Sequence, residues 1–388
     1  MKIAIIGAGI TGLLPAYYLS QQGHSVVVYE RESYSAMQCS YANGGQLSVS
    51  NSEVWTTWGN IIKGAKWLTK KDAPLLINPS LDWAKAKWLF QFLYHTATNT
   101  AEQRTIETIT LGLESRSLYK EIISKEGIEF DQSDCGILHF YKDQKYFDHA
   151  INVQRLYEDA GCEWSILSHK ELLKLEPTLS NSEGIIGGAW TAGDWTGDIH
   201  KFCIELTKVL KSKYNVNFEF DHAVDNIDEI DADLVVVSGG VGSVKLAHTL
   251  GDSLPIYPIK GYSITIQLDD DALAPTRSLL DDSAKIVTSR LGNRFRVAGT
   301  AELAGENYDI KRSRIDPLLN WVKTNFPTLN RERYSSWACL RPMTPNMMPI
   351  IKQGKRKNVF YHTGHGHLGW TTSPATAKKL VKLIEELT

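Results

Sequence analysis

No stretch of this 388-residue chain stays apolar for the ~20 residues that a membrane-spanning helix needs, so no spanning segment is expected. Neither charge prevails: 42 Lys and Arg against 44 Asp and Glu leave a formal net charge of −2, and nucleic acid is not expected as a partner. Cysteine is scarce. Cys39, Cys135, Cys162, Cys203 and Cys339 are odd in number and lack CxxC spacing, which argues against a disulfide framework or a zinc site and for a reducing compartment. Internal repeats and low-complexity tracts are missing too. The first strand starts at Lys2 with its glycines needed in place, which leaves no room for a signal peptide, so the expected location is the cytoplasm. What is present, 43% apolar and 10% aromatic residues, suffices for a large core split into about two domains.

Both ends of the chain carry a strand, a glycine turn and a helix start. Ile3 to Ile6 suit a buried parallel strand, and Gly7, Gly9 and Gly12 lead into a helix reaching Gln22. The first glycine allows the tight turn, the second lets backbone approach a pyrophosphate, and the third lets helix and strand pack closely. A second strand, Ser25 to Tyr29, ends at Glu30, a carboxylate suited to a ribose diol. At the other end, Val359-Phe-Tyr-His-Thr-Gly-His-Gly-His-Leu-Gly-Trp-Thr-Thr372 repeats the pattern. Two such turns suggest one cofactor gripped from both sides, although the glycines alone do not separate FAD from NAD.

Between them, Ser40 to Ser48 is a small, polar, glycine-bearing loop through which a flat ring system can lie close to backbone. From Val54 to His95, Trp55, Trp58, Trp67, Trp83 and Trp88 interleave with Lys63, Lys66, Lys70, Lys71, Lys85 and Lys87. That pattern fits core packing, or a basic surface resting on the inner face of a membrane. Helices are expected over 101–125, 147–160, 168–175 and 199–211, with strands over 137–141, 217–220, 233–240, 256–267 and 294–299. The buried strand Asp233 to Gly240 is expected to bring Ser238, Gly239 and Gly240 to the cofactor.

Longer motifs are more specific. Ser40-Tyr-Ala-Asn-Gly-Gly-Gln46, Tyr257-Pro-Ile-Lys-Gly-Tyr-Ser-Ile-Thr265, Arg296-Val-Ala-Gly-Thr-Ala-Glu302, Leu340-Arg-Pro-Met-Thr-Pro345 and His362-Thr-Gly-His-Gly-His-Leu-Gly-Trp-Thr371 carry the resemblance. Over nearly the whole chain, the sequence resembles D-amino-acid dehydrogenases of the D-amino-acid oxidase flavoprotein family. The resemblance implies an α/β fold: a doubly wound, Rossmann-like FAD-binding domain with an inserted α+β substrate domain. The expected boundaries are 1–52, 150–250 and 335–388 for the first and 53–149 with 251–334 for the second. It implies bound FAD and oxidation of a D-amino acid by hydride transfer from the α carbon to flavin N5. The imine then yields a 2-oxo acid and ammonia, with electrons passing to a quinone or another carrier. The cofactor wall it implies comprises Gly7, Gly9, Ile10, Thr11, Gly12, Glu30 and Arg31, then Ser40, Ala42, Asn43, Gly44, Gly45, Gln46 and Leu47. Val224, Ser238, Gly239 and Gly240 continue it, and Gly364, His365, Gly366, His367, Leu368, Gly369 and Thr371 complete it.

Residue chemistry suggests the roles on the substrate side. A carboxylate held while its Cα–H faces a flavin is best gripped by a fixed planar fork, and Arg341 is the candidate. Charge gathering on the flavin calls for preorganised donors, which the turn Gly364 to Gly369 offers from backbone, with His365 as a side-chain candidate. Lys260 is placed to reach the flavin edge or a water and Tyr262 to line the pocket, on the same strand face. His362, His365 and His367 share a glycine turn without matching carboxylates or thiols, so no metal site is expected.

The departures are Ala338-Cys339, where such dehydrogenases usually have glycine, and Asn346-Met-Met. Sarcosine oxidases, distant relatives, carry at this point a cysteine bonded to the flavin, so Cys339 is a candidate for a covalent link against the expected non-covalent FAD. An oxidase using oxygen, an enzyme of secondary amino acids such as sarcosine or hydroxyproline, and a flavin-binding scaffold without turnover stay open.

Overall fold

The computed structural model describes residues 1–67, 74–78, 81–269 and 273–388. From the N-terminus run β1 (Lys2–Ile6), α1 (Ile10–Gln21), β2 (Ser25–Tyr29) and β3 (Gln46–Leu47). Then come α2 (Trp58–Trp67), β4 (Leu75–Ile77), α3 (Trp83–Ala97), α4 (Ala101–Glu126), β5 (Ile137–Tyr141) and α5 (Gln144–Asp159). The middle holds β6 (Ser165–Ser168), α6 (His169–Leu175), β7 (Gly187–Thr191), β8 (Trp195–Thr196) and α7 (Ile199–Lys213). After β9 (Asn217–Glu219), β10 (Leu234–Val237) and α8 (Ser243–Thr249) come β11 (Tyr257–Gln267), β12 (Ser278–Asp281), β13 (Ile286–Leu291) and β14 (Arg294–Leu303). The chain closes through α9 (Arg312–Asn325), β15 (Tyr334–Met343), β16 (Ile350–Gln353), β17 (Val359–Thr363) and α10 (Gly369–Leu387).

Two large sheets divide these strands. The first has the order β16-β17-β10-β1-β2-β9, parallel except for β16 against β17. Its central strands are buried on both faces, as their unbroken apolar runs require: Ile3 and Ile5 pack on one side, Ala4, Val235 and Val237 on the other. The second sheet runs β15-β11-β14-β13-β12-β5-β7-β6, mostly antiparallel, with β4 added alongside β14. The fold is the expected α/β one, a doubly wound sheet with an α+β partner.

Strand membership departs from the expected boundaries in two places. β6 and β7, inside 150–250, extend the second sheet beyond β5, and β15, inside 335–388, forms its edge against β11. An edge strand tolerates Pro342, whose missing N–H would break a central ladder. Local signals were more reliable. Ser168 and Glu171 form the reciprocal cap that starts α6. α5 begins three residues before the expected Phe147, because the Asp143 carboxylate accepts the Lys145 N–H at 2.9 Å and caps the helix there. No helix of the described residues is long and apolar enough to cross a membrane.

Candidate active site

The two glycine turns meet. Gly7 turns at φ +105 at the end of β1, and a Cβ there would stand 2.8 Å from the Ser238 carbonyl oxygen. Neither α1 nor α10 is capped by its own N-cap side chain; in α1 the Ile10 N–H goes to Ser40 Oγ, and the Thr11 N–H and the first N–H groups of α10 are left for a ligand. Both helices also contain a proline near the start. Pro15 removes the N–H that would occupy the Thr11 carbonyl one turn back, and His362 Nδ1 donates to that oxygen at 2.7 Å. Pro374 frees the Trp370 carbonyl in the same way, and the Tyr119 hydroxyl donates to it at 2.9 Å. The prolines thus create acceptors that lock the turns to their surroundings.

His362 fixes the proton map of the second turn. With Nδ1–H given to Thr11, its Nε2 accepts from the Thr376 hydroxyl at 2.9 Å. When that hydroxyl gives its one proton to His362 rather than to the Thr372 or Ser373 carbonyl, each 3.1 Å away, His365 Nε2–H donates to Thr376 Oγ1, also at 2.9 Å. His365 Nδ1, buried and without a partner, is then an acceptor. The side-chain donor expected at His365 is therefore not what this neutral network offers; the turn's donors are backbone. Burial pushes His362 down to about 4, and His365, buried beside it, shifts the same way.

The 40–48 loop is held by α1 and α10 on one side and by the second sheet on the other. Ser40 Oγ accepts the Ile10 N–H at 3.3 Å, and Ser48 N–H donates to Thr371 Oγ1 at 3.3 Å. The Ala42, Asn43 and Gly44 carbonyls accept from Ser263, Arg296 and Ser289 at 2.9, 3.4 and 2.6 Å. Gln46 donates to the Leu279 and Thr288 carbonyls at 3.1 and 3.2 Å. Asn43 Oδ1 accepts from Gly45 N–H at 2.9 Å. Leu47 is buried. Sequence reasoning gave no role to Ser263, Ser289 and Arg296, whose partners lie 221, 245 and 253 residues away, or to Thr376, whose partners lie only 14 and 11 residues away.

Glu30 accepts the Ala8 N–H at 2.6 Å and the Glu32 N–H at 3.1 Å, so it braces the first turn from the end of β2. Burial raises its carboxyl, and the two N–H donors pull the other way. Ser238 Oγ, beside Gly7, is buried with no partner. Arg31 is exposed and Val224 half-buried.

On the substrate side, Arg341 lies over Gly261, where any Cβ would collide with the guanidinium. Its Nη1 donates to the Thr300 carbonyl at 3.1 Å, and no carboxylate of the described residues pairs with it. Lys260 and Tyr262 share a face, as alternation requires, but it is the face opposite Gly261 and Arg341. Lys260 Nζ donates to Asn307 Oδ1 at 2.7 Å and the Asp309 carbonyl at 3.0 Å, and Tyr262 OH donates to Glu302 at 2.6 Å. The structure therefore does not bring these two polar ends to Arg341. Cys339 sits beside Cys39, whose thiol donates to the Leu340 carbonyl at 2.9 Å. The nearness of the Cys339 sulfur, with burial, pushes the Cys39 thiol up, and the nearness of Cys39 lowers Cys339.

A single cavity of about 1020 Å³ joins these parts. Of the residues singled out by sequence, its wall contains all but Gly12, Gly45, Leu47, Gly364 and Lys260. Trp55 and Trp88 are interior as well: Trp55 stacks on His367, and Trp88 Nε1 donates to the Met343 carbonyl at 2.8 Å. Ile259, cross-strand partner of Arg341, continues the wall with Leu303 and Trp88 as an apolar patch.

Residues 2–383 match the family model described as FAD dependent oxidoreductase, and the chain belongs to that family. It is 45% identical to D-amino acid dehydrogenase 3 of Mesorhizobium japonicum, covering 99% of this chain and 97% of that protein. It is 34% identical to a D-amino acid dehydrogenase of Dechloromonas aromatica, again over 99% of this chain and 97% of the relative. Among solved structures, glycine oxidase from Bacillus cereus superposes with a TM-score of 0.74 at 19% identity, covering 100% of this chain and 95% of that one. Glycine oxidase from Geobacillus kaustophilus gives 0.76 at 18%, covering 99% and 94%. These structures share the fold.

The residues present fit FAD. Two uncapped helix N-termini suit a pyrophosphate, Gly7 keeps the approach clear, and the unpartnered Ser238 hydroxyl awaits an acceptor or donor.

Proposed function

We propose that this enzyme oxidises a D-amino acid to the imine, which water converts to a 2-oxo acid and ammonia, with electrons passing to a quinone or another carrier. The observation that carries the reading is Arg341, a cavity-lining cation without a described carboxylate partner, kept in place by Gly261 and the Thr300 carbonyl. A substrate carboxylate supplies the missing charge, in the bidentate geometry that guanidinium favours. The names of the sequence relatives support a D-amino acid as that substrate.

FAD, when bound, supplies the oxidant that takes the α-hydrogen with its electron pair. Around it the chain's own residues orient and shield. Gly7, Gly9, Ser40 and the start of α10 hold the cofactor, Arg341 fixes the carboxylate, and Ile259, Leu303 and Trp88 keep water from the apolar side of the acid. We take FAD to be held without a covalent bond; Cys339, buried in the cavity wall, is the residue at which a link would have to form.

Anaerobic mixing with D- and L-amino acids tests the reading. Loss of the flavin's visible absorbance with D-amino acids alone is expected, and no loss with any amino acid overturns it. Comparing peroxide yield with reduction of an artificial acceptor separates oxidase from dehydrogenase. Acid precipitation should leave all flavin in solution; flavin in the pellet would show a covalent link.

Peripheral membrane contact is supported by the outer face of α2 and α3, where Trp58, Trp83, Phe90 and Tyr94 are 58%, 90%, 72% and 60% exposed. Lys70 and Lys71 of the basic pattern lie outside the described residues, and Lys85 is buried. Replacing Trp83 and Phe90 together by Ser should weaken binding to anionic vesicles about tenfold. Equal binding by the two proteins would remove the membrane from this reading.

A further inference from the structure

We propose that the imidazole of His367 receives the α-amino group of the amino acid whose carboxylate Arg341 holds. This rests on the proposed oxidation of an amino acid and goes beyond it by naming the group that binds the amine. The observation is an imbalance within one turn. His362 has both ring nitrogens bonded, His365 has one, and His367 has neither: its Nδ1 and Nε2 are buried with no partner among the described residues.

The ring is nevertheless fixed. It stacks on Trp55 with centroids 4.8 Å apart and planes 20° from parallel. Gly366 N–H donates to the Pro342 carbonyl at 3.1 Å, which ties this turn to the strand residue next to Arg341. Both side chains line the same cavity. Polar nitrogens that are positioned, desolvated and unbonded are what a ligand-recognition group looks like before its ligand arrives.

The chemistry selects the amine. An amino acid carries its carboxylate and amino group on one carbon, so the neighbour of the carboxylate clamp is the natural place for an N–H acceptor. Burial first, and then the Arg341 charge, push His367 down to about 3, so one ring nitrogen keeps its lone pair at neutral pH. A carboxylate in that position would stabilise the ammonium and hold its proton. A neutral imidazole accepts an N–H bond without that opposing charge, which suits a reaction that needs the amine lone pair free. His365 on the same turn and Arg341 on the neighbouring strand do not compete: His365 is spent on Thr376 at Nε2, and Arg341 only donates.

His367→Phe keeps a ring on Trp55 and removes both nitrogens. In the FAD-loaded variant, anaerobic reduction by D-alanine should require about 10- to 100-fold more substrate, the usual effect of leaving a buried donor without its acceptor. Propionate, which has the carboxylate and no amine, should still perturb the flavin spectrum at a concentration within about threefold of wild type. His367→Gln, which restores an acceptor, should recover part of the D-alanine response. Equal weakening of D-alanine and propionate, or loss of FAD with propionate binding, would assign the ring to holding the turn and overturn the proposal. An unchanged D-alanine response in a protein whose wild type is reduced by D-alanine would also overturn it. A wild type that no amino acid reduces would instead bring down the functional reading itself, and this proposal with it.

Discussion

The two faces of the β11–β15 strand pair hold polar groups of similar kind in opposite states. On one face, Lys260, Tyr262 and Lys311 all close onto Glu302, Asn307 and Asp309, with Lys311 donating to Glu302 at 2.7 Å and Lys260 3.9 Å from the same carboxylate. On the other, Arg341 spends one N–H on a carbonyl and faces the cavity. A buried charge network that satisfies itself has nothing left for a ligand. We take the face with unspent donors as the receptor, although Lys260, Tyr262 and Arg341 sit within a few positions of one another along β11 and β15.

The largest way to break that contrast is at Gly261 and Arg341. Gly261→Ala places a methyl group where the guanidinium lies, and Arg341→Leu removes the fork outright. Each should keep FAD and lower kcat/KM for the amino acid about 100- to 1,000-fold, or ~3 to 4 kcal/mol, as loss of a desolvated charge pair does. Rapid-mixing reduction of the bound flavin measures it. Unchanged substrate dependence in Arg341→Leu would take that residue out of the site.

The closed face should answer differently. Lys260→Met leaves Glu302 with one fewer compensating charge and is expected to cost about 3 kcal/mol of stability, read as a lower Tm or a lower urea midpoint. The folded fraction should retain its amino-acid KM within about threefold, since Lys260 does not reach the cavity wall. A variant with unchanged Tm but lost turnover would return Lys260 to the chemistry.

That contrast also explains what the sequence could and could not reveal. Gly7, Gly9, Glu30 and the Gly364 to Gly369 turn were legible because strand, turn and helix follow one another directly, and Gly7, Gly364 and Gly366 turn at positive φ. Alternation correctly put Lys260 and Tyr262 on one face. It could not say which face, because that depends on β11 pairing with β15 some eighty residues later and on Gly261 lying beneath Arg341. The Trp-rich stretch divides for a similar reason: Trp55 and Trp88 find partners in His367 and the Met343 carbonyl, while Trp58 and Trp83 remain outside. Pro15 and Pro374 were a signal left unread. A proline inside a helix frees a carbonyl, and the donor that takes it, His362 or Tyr119, is a long-range partner worth seeking.

The smallest expected effect sharpens the comparison at the closed end of the histidine turn. His362 is fully bonded and buried as the neutral form, so its folded value of about 4 lies below the ordinary 6.5. As pH falls below 6.5 the unfolded chain takes a proton that the folded one refuses. The stability this histidine contributes is therefore present above 6.5 and lost as pH falls toward 4, by on the order of 2 to 3 kcal/mol. Asp194, pushed up to about 6 by burial, works in the other direction: its folded form favours the proton, so stability is lost as pH rises through 6. The two partly cancel below pH 6, and a variant is needed to separate them. His362→Gln removes the titrating ring, so its Tm should fall less steeply between pH 6.5 and 4 than that of wild type, whatever its starting value. Parallel Tm curves for the two proteins would mean that the ring already carries its proton in the fold, and the proton map drawn from Thr11 through Thr376 to His365 would have to be redrawn.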